Sequence, residues 1–193
     1  MHIPENRKQM ILDAEEQFAN TLAARVLKVP KLSIWMILIP IIIVHHIYRH
    51  QRVVKGRQAF VENYLISRKR ALEEAWAAAE NGCDPDIENI IRVSELPEET
   101  FADYGKWLGL LVEHYSDLLN AEGNSYEALI RDLYKNRSGF LLFLNRLNQV
   151  EKQFNAVLEP HLVRTTPEAG DIIMAMENNS ETLRRKSAED IFR

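Results

Sequence analysis

Three histidines lie close together in the sequence, and no other residues in the chain are spaced as well for coordinating a metal ion or haem. His46 and His50 are four residues apart, which puts both imidazoles on one face of a helix, whereas His45 points about 100° away from His46. Two such histidines can ligate a metal ion or haem iron. The segment offers no third firm ligand, so we interpret them as histidines beside lipid headgroups and predict no cofactor and no metal. The open alternative is a haem, metal or quinone site near His45, His46 and His50.

Other residues with chemical potential lack the partners that catalysis would need. No Glu is followed by His three positions later, so the Glu-x-x-His pairs of a di-iron centre are missing. The sequence also contains no Gly-rich phosphate loop and no G-x-S-x-G or H-E-x-x-H motif. Cys83 has no basic neighbour that would activate its thiol, and His114 and His161 are isolated. We therefore expect a non-enzymatic protein.

The composition is that of a folded chain with a mild acidic excess. The 193 residues carry a net charge of -4, which gives no reason to expect nucleic-acid binding. One cysteine excludes an internal disulfide bond and a cysteine-based metal site within one chain. The mean hydropathy of -0.27 excludes a polytopic membrane protein but allows one membrane segment.

The histidines end an apolar segment, Leu32 to Tyr48, that has 17 residues without formal charge. As a helix it is about 25 Å long, against a hydrocarbon core of roughly 30 Å. It is apolar on all faces, and Trp35 and Tyr48 stand near its ends, where aromatic side chains favour the bilayer interface. We therefore predict a membrane segment over residues 31–50, with a buried helix of a soluble bundle as the alternative. The residues predicted to contact the membrane are Trp35, Ile37, Ile39, Pro40, Ile41, Ile43 and Tyr48, and those predicted to contact lipid headgroups are Lys28, Lys31, Arg49 and Arg52.

Two topologies remain open for this segment. Basic residues flank it on both sides in similar number, so the positive-inside rule does not choose an orientation. Pro40 lies in the middle and removes one helical N–H, which suits either the apex of a re-entrant segment or a kink in a short single pass. In both cases we expect the protein at the inner or cytoplasmic membrane, with the bulk of the chain on the cytoplasmic side.

The rest of the sequence has helical periodicity and no strand pattern. An amphipathic helix is predicted over Pro4–Val29, and a second stripe of apolar residues ends at Asn81-Gly82. A short helix is predicted with Asp84 as its N-cap and Pro85 at its first position. The next begins at Pro97, with an apolar stripe that includes Leu108, Leu111 and Tyr115, and Ser125 caps another. After an interruption at Ser138-Gly139, a helix is predicted over 140–158 that Pro160 ends, followed by two short ones near Pro167 and Ser180. The predicted fold class is all-α, a helical bundle with an N-terminal amphipathic helix and one short hydrophobic membrane-associated segment. The predicted parts are residues 1–30 (N-terminal helix), 31–50 (membrane segment), 51–164 (cytoplasmic bundle) and 165–193 (helical tail).

Two basic clusters and one apolar run are further candidates for binding surfaces. Arg68-Lys69-Arg70 is flanked by glutamates, so we interpret it as a solvated helix surface with i,i+4 pairs, and Arg184-Arg185-Lys186 in the same way. Phe140 to Leu144 is apolar throughout, and indicates either the centre of the bundle or a docking surface. The sequence thus favours a membrane-anchored adaptor or accessory subunit that holds a protein partner near the bilayer, in a hetero- or homo-oligomer. An accessory subunit of a membrane redox or transport complex is the alternative.

Overall fold

The computed structural model describes residues 5–27 and 56–193, and this part of the chain is helical with no strand. The predicted all-α helical bundle is confirmed for it. Its seven α-helices are α1 (Glu5–Val26), α2 (Gly56–Asn81), α3 (Ile87–Arg92), α4 (Phe101–Asn120), α5 (Tyr126–Tyr134), α6 (Arg137–Val163) and α7 (Ala169–Ile191), with a 3-10 turn at Glu98–Thr100.

The predicted membrane segment, residues 31–50, lies outside the described residues. None of the helices in the described part is long and apolar enough to cross a membrane.

Side-chain caps define where the shorter helices begin. The Ser125 hydroxyl accepts the backbone N–H of Ala128 at 3.3 Å and caps α5, as the sequence predicts. Helix α3 begins later than predicted, because the Asp86 carboxylate, and not that of Asp84, accepts the N–H of Asn89 at 2.9 Å. Pro85 therefore precedes the helix instead of occupying its first position.

The two C-terminal helices are longer than the sequence patterns suggest. Asn136 caps α6 by accepting the N–H of Gly139 at 2.9 Å, so the predicted interruption at Ser138-Gly139 falls inside the first helical turn. Pro160 lies within α6 instead of ending it, since only its last few residues follow and one lost backbone hydrogen bond is tolerated there. The two short helices predicted for the C-terminal tail are one 23-residue helix, α7, which packs against α6.

Helices α1 and α2 form an antiparallel pair. Near one end Lys8 of α1 meets Glu73 of α2 at 2.6 Å, and near the other Leu22 and Phe60 are buried in one apolar cluster. Val26 and Leu27, the last described residues before the gap, pack against that same cluster. The chain therefore leaves α1 and enters α2 at the same end of the bundle.

The main apolar core lies around α4, which packs against α2 and α6. Leu108, Leu111 and Tyr115, all on the predicted stripe of α4, are fully buried. Phe140 and Leu144 of α6 are also buried, so most of the apolar run belongs to the core, and only its middle residue, Leu142, is exposed, at 73%.

Candidate functional site

Two buried arginines share one buried glutamate at the centre of the bundle. Arg68 of α2 and Arg184 of α7 are only 3% and 5% exposed. Arg68 Nη2 donates to Glu151 Oε1 at 2.9 Å, and Arg184 Nη1 donates to Glu151 Oε2 at 2.6 Å. Arg184 also donates to the side-chain oxygen of Asn148. One carboxylate of α6 thus fixes the position of two neighbouring helices.

A second carboxylate, from α1, completes this group. Glu15 lies 3.4 Å from Arg68 Nη1 and accepts a hydrogen bond of 2.7 Å from the Tyr115 hydroxyl of α4. We call Arg68, Arg184, Glu15 and Glu151 the arginine–glutamate centre. It balances two guanidinium groups with two carboxylates, and together with Tyr115 it connects α1, α2, α4, α6 and α7.

Protonation in this centre follows from burial and from neighbouring charges. Burial acts to raise the pKa of Glu151, but Arg184 and Arg68 outweigh it and hold that pKa below its ordinary value. The pKa of Tyr115 is raised well above its ordinary value by burial first and by the Glu15 carboxylate next. Glu151 is therefore an anion that accepts hydrogen bonds, and Tyr115 keeps the proton that it donates.

Aromatic rings cover the two guanidinium groups. Arg68 Cζ lies 4.6 Å from the ring centroid of Tyr64 and 5.7 Å from that of Trp107. Arg184 Cζ lies 5.6 Å from the ring centroid of Phe18. Such cation–π contacts stabilise a guanidinium group that has been removed from water. Burial raises the pKa of Tyr64 to about 12, so its hydroxyl is protonated.

A cavity of about 750 Å³ lies beside the arginine–glutamate centre, between α1 and the helices from α4 to α7. Glu15, Arg68 and Arg184 line it at the arginine–glutamate centre, with Tyr64 beside them. Its other charged lining residues are Asp13, Glu127, Lys186 and Asp190. Its other lining residues include aromatic and aliphatic side chains: Phe18, Leu111, Tyr126, Phe140, Phe143, Leu144, Leu147, Leu183 and Ile191. The cavity therefore joins fixed hydrogen-bond donors to a large apolar surface.

His114 of α4 also lines the cavity, in a neutral form. It is 5% exposed, its Nδ1 lies 2.9 Å from the Tyr134 hydroxyl, and its ring stacks on Phe143 at 4.1 Å. Burial, together with the positive charge of Arg68, lowers the pKa of His114 to about 3. The imidazole is thus a hydrogen-bonded part of the wall and carries no charge near pH 7.

The interpretation of the two basic clusters as solvated surfaces is wrong for Arg68 and Arg184. The other members are placed differently: Lys69 is exposed and pairs with Glu16 of α1 at 2.8 Å, and Arg185 pairs with Glu181 on its own helix. A sequence signal for Arg68 did exist. The apolar stripe of α2 has a gap between Tyr64 and Ala71, and Arg68 fills that gap on the buried face.

The predicted membrane and headgroup residues, and the histidine group at positions 45, 46 and 50, lie outside the described residues. Within residues 5–27 and 56–193, no group of three His, Cys, Asp or Glu side chains could hold a metal ion. Cys83 is exposed.

Comparisons with protein-family models, with characterised proteins and with solved structures found no match for this chain.

Proposed function

We propose that this chain is a membrane-anchored adaptor or accessory subunit, without enzymatic activity of its own, that holds a protein partner near the bilayer. The apolar segment over residues 31–50 is the proposed anchor, supported by its composition and by the basic residues on both flanks. The observation that carries the proposal is the antiparallel packing of α1 on α2, the helices that precede and follow the segment.

This packing favours a re-entrant anchor over a single pass. A spanning segment would put α1 and the rest of the bundle on opposite sides of the membrane. The burial of Leu22 and Phe60 in one apolar cluster, and the pairing of Glu15 with Arg68, support a topology with both helices on the same side. In this proposal the segment over residues 31–50 enters one leaflet and returns to the same side, with Pro40 near its apex.

The adaptor function rests on a rigid bundle with exposed apolar side chains. Leu142 of α6 is 73% exposed and Met174 of α7 is 62% exposed, which makes them candidate partner contacts on two different helices. The arginine–glutamate centre, together with Tyr115, links five helices, so a partner bound to α6 or α7 would be held at a fixed position relative to α1 and the anchor.

The anchor is tested by replacing Ile41 and Ile42 together by Asp. Each acidic residue at the centre of a membrane helix costs about 2.5–3.5 kcal/mol, and each replaced isoleucine removes about 0.3–0.6 kcal/mol of insertion gain. The double change therefore costs about 6–8 kcal/mol, against an insertion gain of about 3–6 kcal/mol for the wild type. We expect the variant to leave the carbonate-resistant membrane fraction. The control is the double variant Gln149→Asp and Gln153→Asp, which adds the same charge at exposed positions of α6 and should sediment like the wild type. Unchanged partition of the Ile41/Ile42 variant would contradict the proposed anchor.

The adaptor function is tested by cross-linking in intact membranes followed by mass spectrometry. We expect a stoichiometric cross-linked species larger than the 22.4 kDa chain, and weaker cross-linking in Leu142→Asn. Recovery of the monomer alone would contradict an adaptor. A Soret band, or stoichiometric iron or copper in the purified protein, would instead favour a redox subunit with its site near His45, His46 and His50.

A further inference from the structure

We propose that the cavity beside the arginine–glutamate centre binds an uncharged amphiphile, whose head carries hydrogen-bond acceptor oxygens and whose body is apolar. This inference concerns the interior of the bundle and does not depend on the anchor or on a protein partner. Its basis is the size of the cavity, the arrangement of its lining, and three buried donors that face no acceptor among the described residues.

The size and the lining of the cavity suit one ligand of this kind. A volume of about 750 Å³ falls within the usual range of small-molecule sites, which is about 300–1,000 Å³. The lining contains buried charges at the arginine–glutamate centre, and the side chains that α6 contributes further along are apolar: Phe140, Phe143, Leu144 and Leu147. Phe140 and Phe143 precede Glu151 by two to three helical turns, a displacement of about 12–17 Å at 1.5 Å per residue. A ligand with a polar head and an extended apolar body matches this separation.

Three buried donor groups point to the chemistry of the head. Arg68 Nε, Arg184 Nη2 and the Tyr64 hydroxyl are buried and have no hydrogen-bond partner in the described part of the chain. All three residues line the cavity, and Arg68 and Arg184 are more than nine-tenths buried. Buried donors without acceptors destabilise a fold, so an oxygen atom that accepts from them would bind favourably.

The charge balance of the centre favours a neutral head over an ionised one. Glu15 and Glu151 already compensate the two guanidinium groups, so a carboxylate ligand would add an unpaired negative charge. Three further carboxylates, those of Asp13, Glu127 and Asp190, line the cavity against one further cation, Lys186, so this part of the lining is net negative and would repel a carboxylate ligand. A cationic head would leave the three donors without acceptors. A carbonyl, ester or hydroxyl oxygen satisfies the donors without changing the charge.

Binding of three probes, each with an 18-carbon apolar chain, to the purified chain in amphipol tests the proposal at pH 8. The probes are 1-oleoylglycerol, oleate and oleylamine, which share one apolar chain and differ in the charge of the head. We expect 1-oleoylglycerol to bind with a stoichiometry near one and about tenfold more tightly than the two charged probes. Equal binding of all three would indicate non-specific partition, and tightest binding of oleate or of oleylamine would indicate a site for charged ligands; each result overturns the proposal.

A matched pair of tyrosine variants separates ligand binding from folding. Tyr64→Phe removes a hydroxyl that has no partner within the described residues, so it should weaken 1-oleoylglycerol binding about tenfold and leave the melting temperature unchanged. Tyr104→Phe is the control, because its hydroxyl pairs with Ser67 at 3.0 Å and does not line the cavity. Unchanged binding in Tyr64→Phe, or an equal loss in Tyr104→Phe, would overturn the proposal.

Organic extraction of the protein purified from membranes distinguishes two sources of such a ligand. A neutral glycerolipid would identify a bilayer lipid, and a neutral carbonyl-bearing isoprenoid would identify a diffusible ligand; both agree with the proposal. A charged lipid recovered in stoichiometric amount would contradict it.

Discussion

The interior of the bundle contains two regions that hold it together by different chemistry. In the aromatic centre, formed by Tyr104, Trp107 and Phe154, the ring centroid of Phe154 on α6 lies 5.1 Å from that of Tyr104 and 5.6 Å from that of Trp107, both on α4. In the arginine–glutamate centre, α1, α2, α6 and α7 each contribute one charged side chain. A buried charge destabilises the fold when its counter-ion is removed. An apolar cluster loses stability in proportion to the volume removed, whereas a buried ion network fails when one member is removed. The attachment of α1 and α7 therefore depends more on individual residues than the attachment of α6 to α4.

The sharpest test of this difference is Glu151→Gln. The change leaves two buried guanidinium groups without a shared counter-ion, so we expect the free energy of unfolding to fall by about 5 kcal/mol, the upper end for a broken buried pair. Urea denaturation followed by circular dichroism measures the loss. The control is Glu189→Gln, which breaks an exposed pair with Arg137 and should cost less than about 1 kcal/mol. Similar losses of unfolding free energy in both variants would show that a buried ion network contributes no more to stability than an exposed ion pair.

The aromatic centre should respond to lost volume. Phe154 is 7% exposed and stacks on Trp107 at 5.6 Å, so Phe154→Ala should cost about 3–4 kcal/mol. Phe154→Leu keeps most of the volume and should cost clearly less, which a denaturation series in the two variants would measure. Equal losses from Ala and Leu would indicate that ring stacking, and not filled volume, stabilises this region.

Phe18 of α1 contacts both an aromatic ring, that of Tyr64, and a charged group, the guanidinium of Arg184. It is half-buried against Tyr64 at 6.1 Å and lies beside Arg184, so we expect Phe18→Ala to cost about 2 kcal/mol, less than Phe154→Ala. The melting temperatures of the two variants provide the comparison. No loss in Phe18→Ala would mean that α1 adds nothing to the stability of the bundle.

Acid should destabilise the bundle through His114. Its pKa is about 3 in the folded chain, against an ordinary value of 6.5, so the unfolded chain binds more protons between these two values. Stability from this group is complete above about pH 6.5 and falls as the pH falls towards 3. Between pH 7 and pH 5.5 the loss should be about 1 kcal/mol. Denaturation at both pH values should show this loss in the wild type and in the control His161→Gln, but not in His114→Gln. A loss that persists in His114→Gln would assign it to other groups.

The sequence predicted the apolar parts of the fold better than the charged ones. The stripes that carry Leu108, Leu111 and Phe154 repeat every three to four residues, and local spacing is enough to predict the buried face of a helix. Helix α7 was harder to predict, because Asn178, Asn179 and Ser180 interrupt its apolar pattern and suggested a break. Those residues continue the helix because the apolar positions on either side of them pack against neighbouring helices.

The arginine–glutamate centre could not be predicted from local spacing. Arg68 is 83 positions from Glu151 and 53 from Glu15, while glutamates much closer in sequence offered simpler partners. A charged residue is expected on the surface unless its partners are known, and these partners come from other helices. Only the gap in the apolar stripe of α2 indicated that position 68 faces inward.

Single-cysteine labelling tests directly whether α1 and α2 lie together on one side of the membrane. Gln9 and Gln58 are exposed on the two helices, and each is changed to Cys, one at a time, in a Cys83→Ala background. Intact cells are treated with a membrane-impermeant maleimide, and permeabilised cells confirm that both positions react. We expect Gln9→Cys and Gln58→Cys both to be protected until the cells are permeabilised. Labelling of Gln9→Cys but not of Gln58→Cys in intact cells would contradict this expectation, because the two helices would then lie on opposite sides.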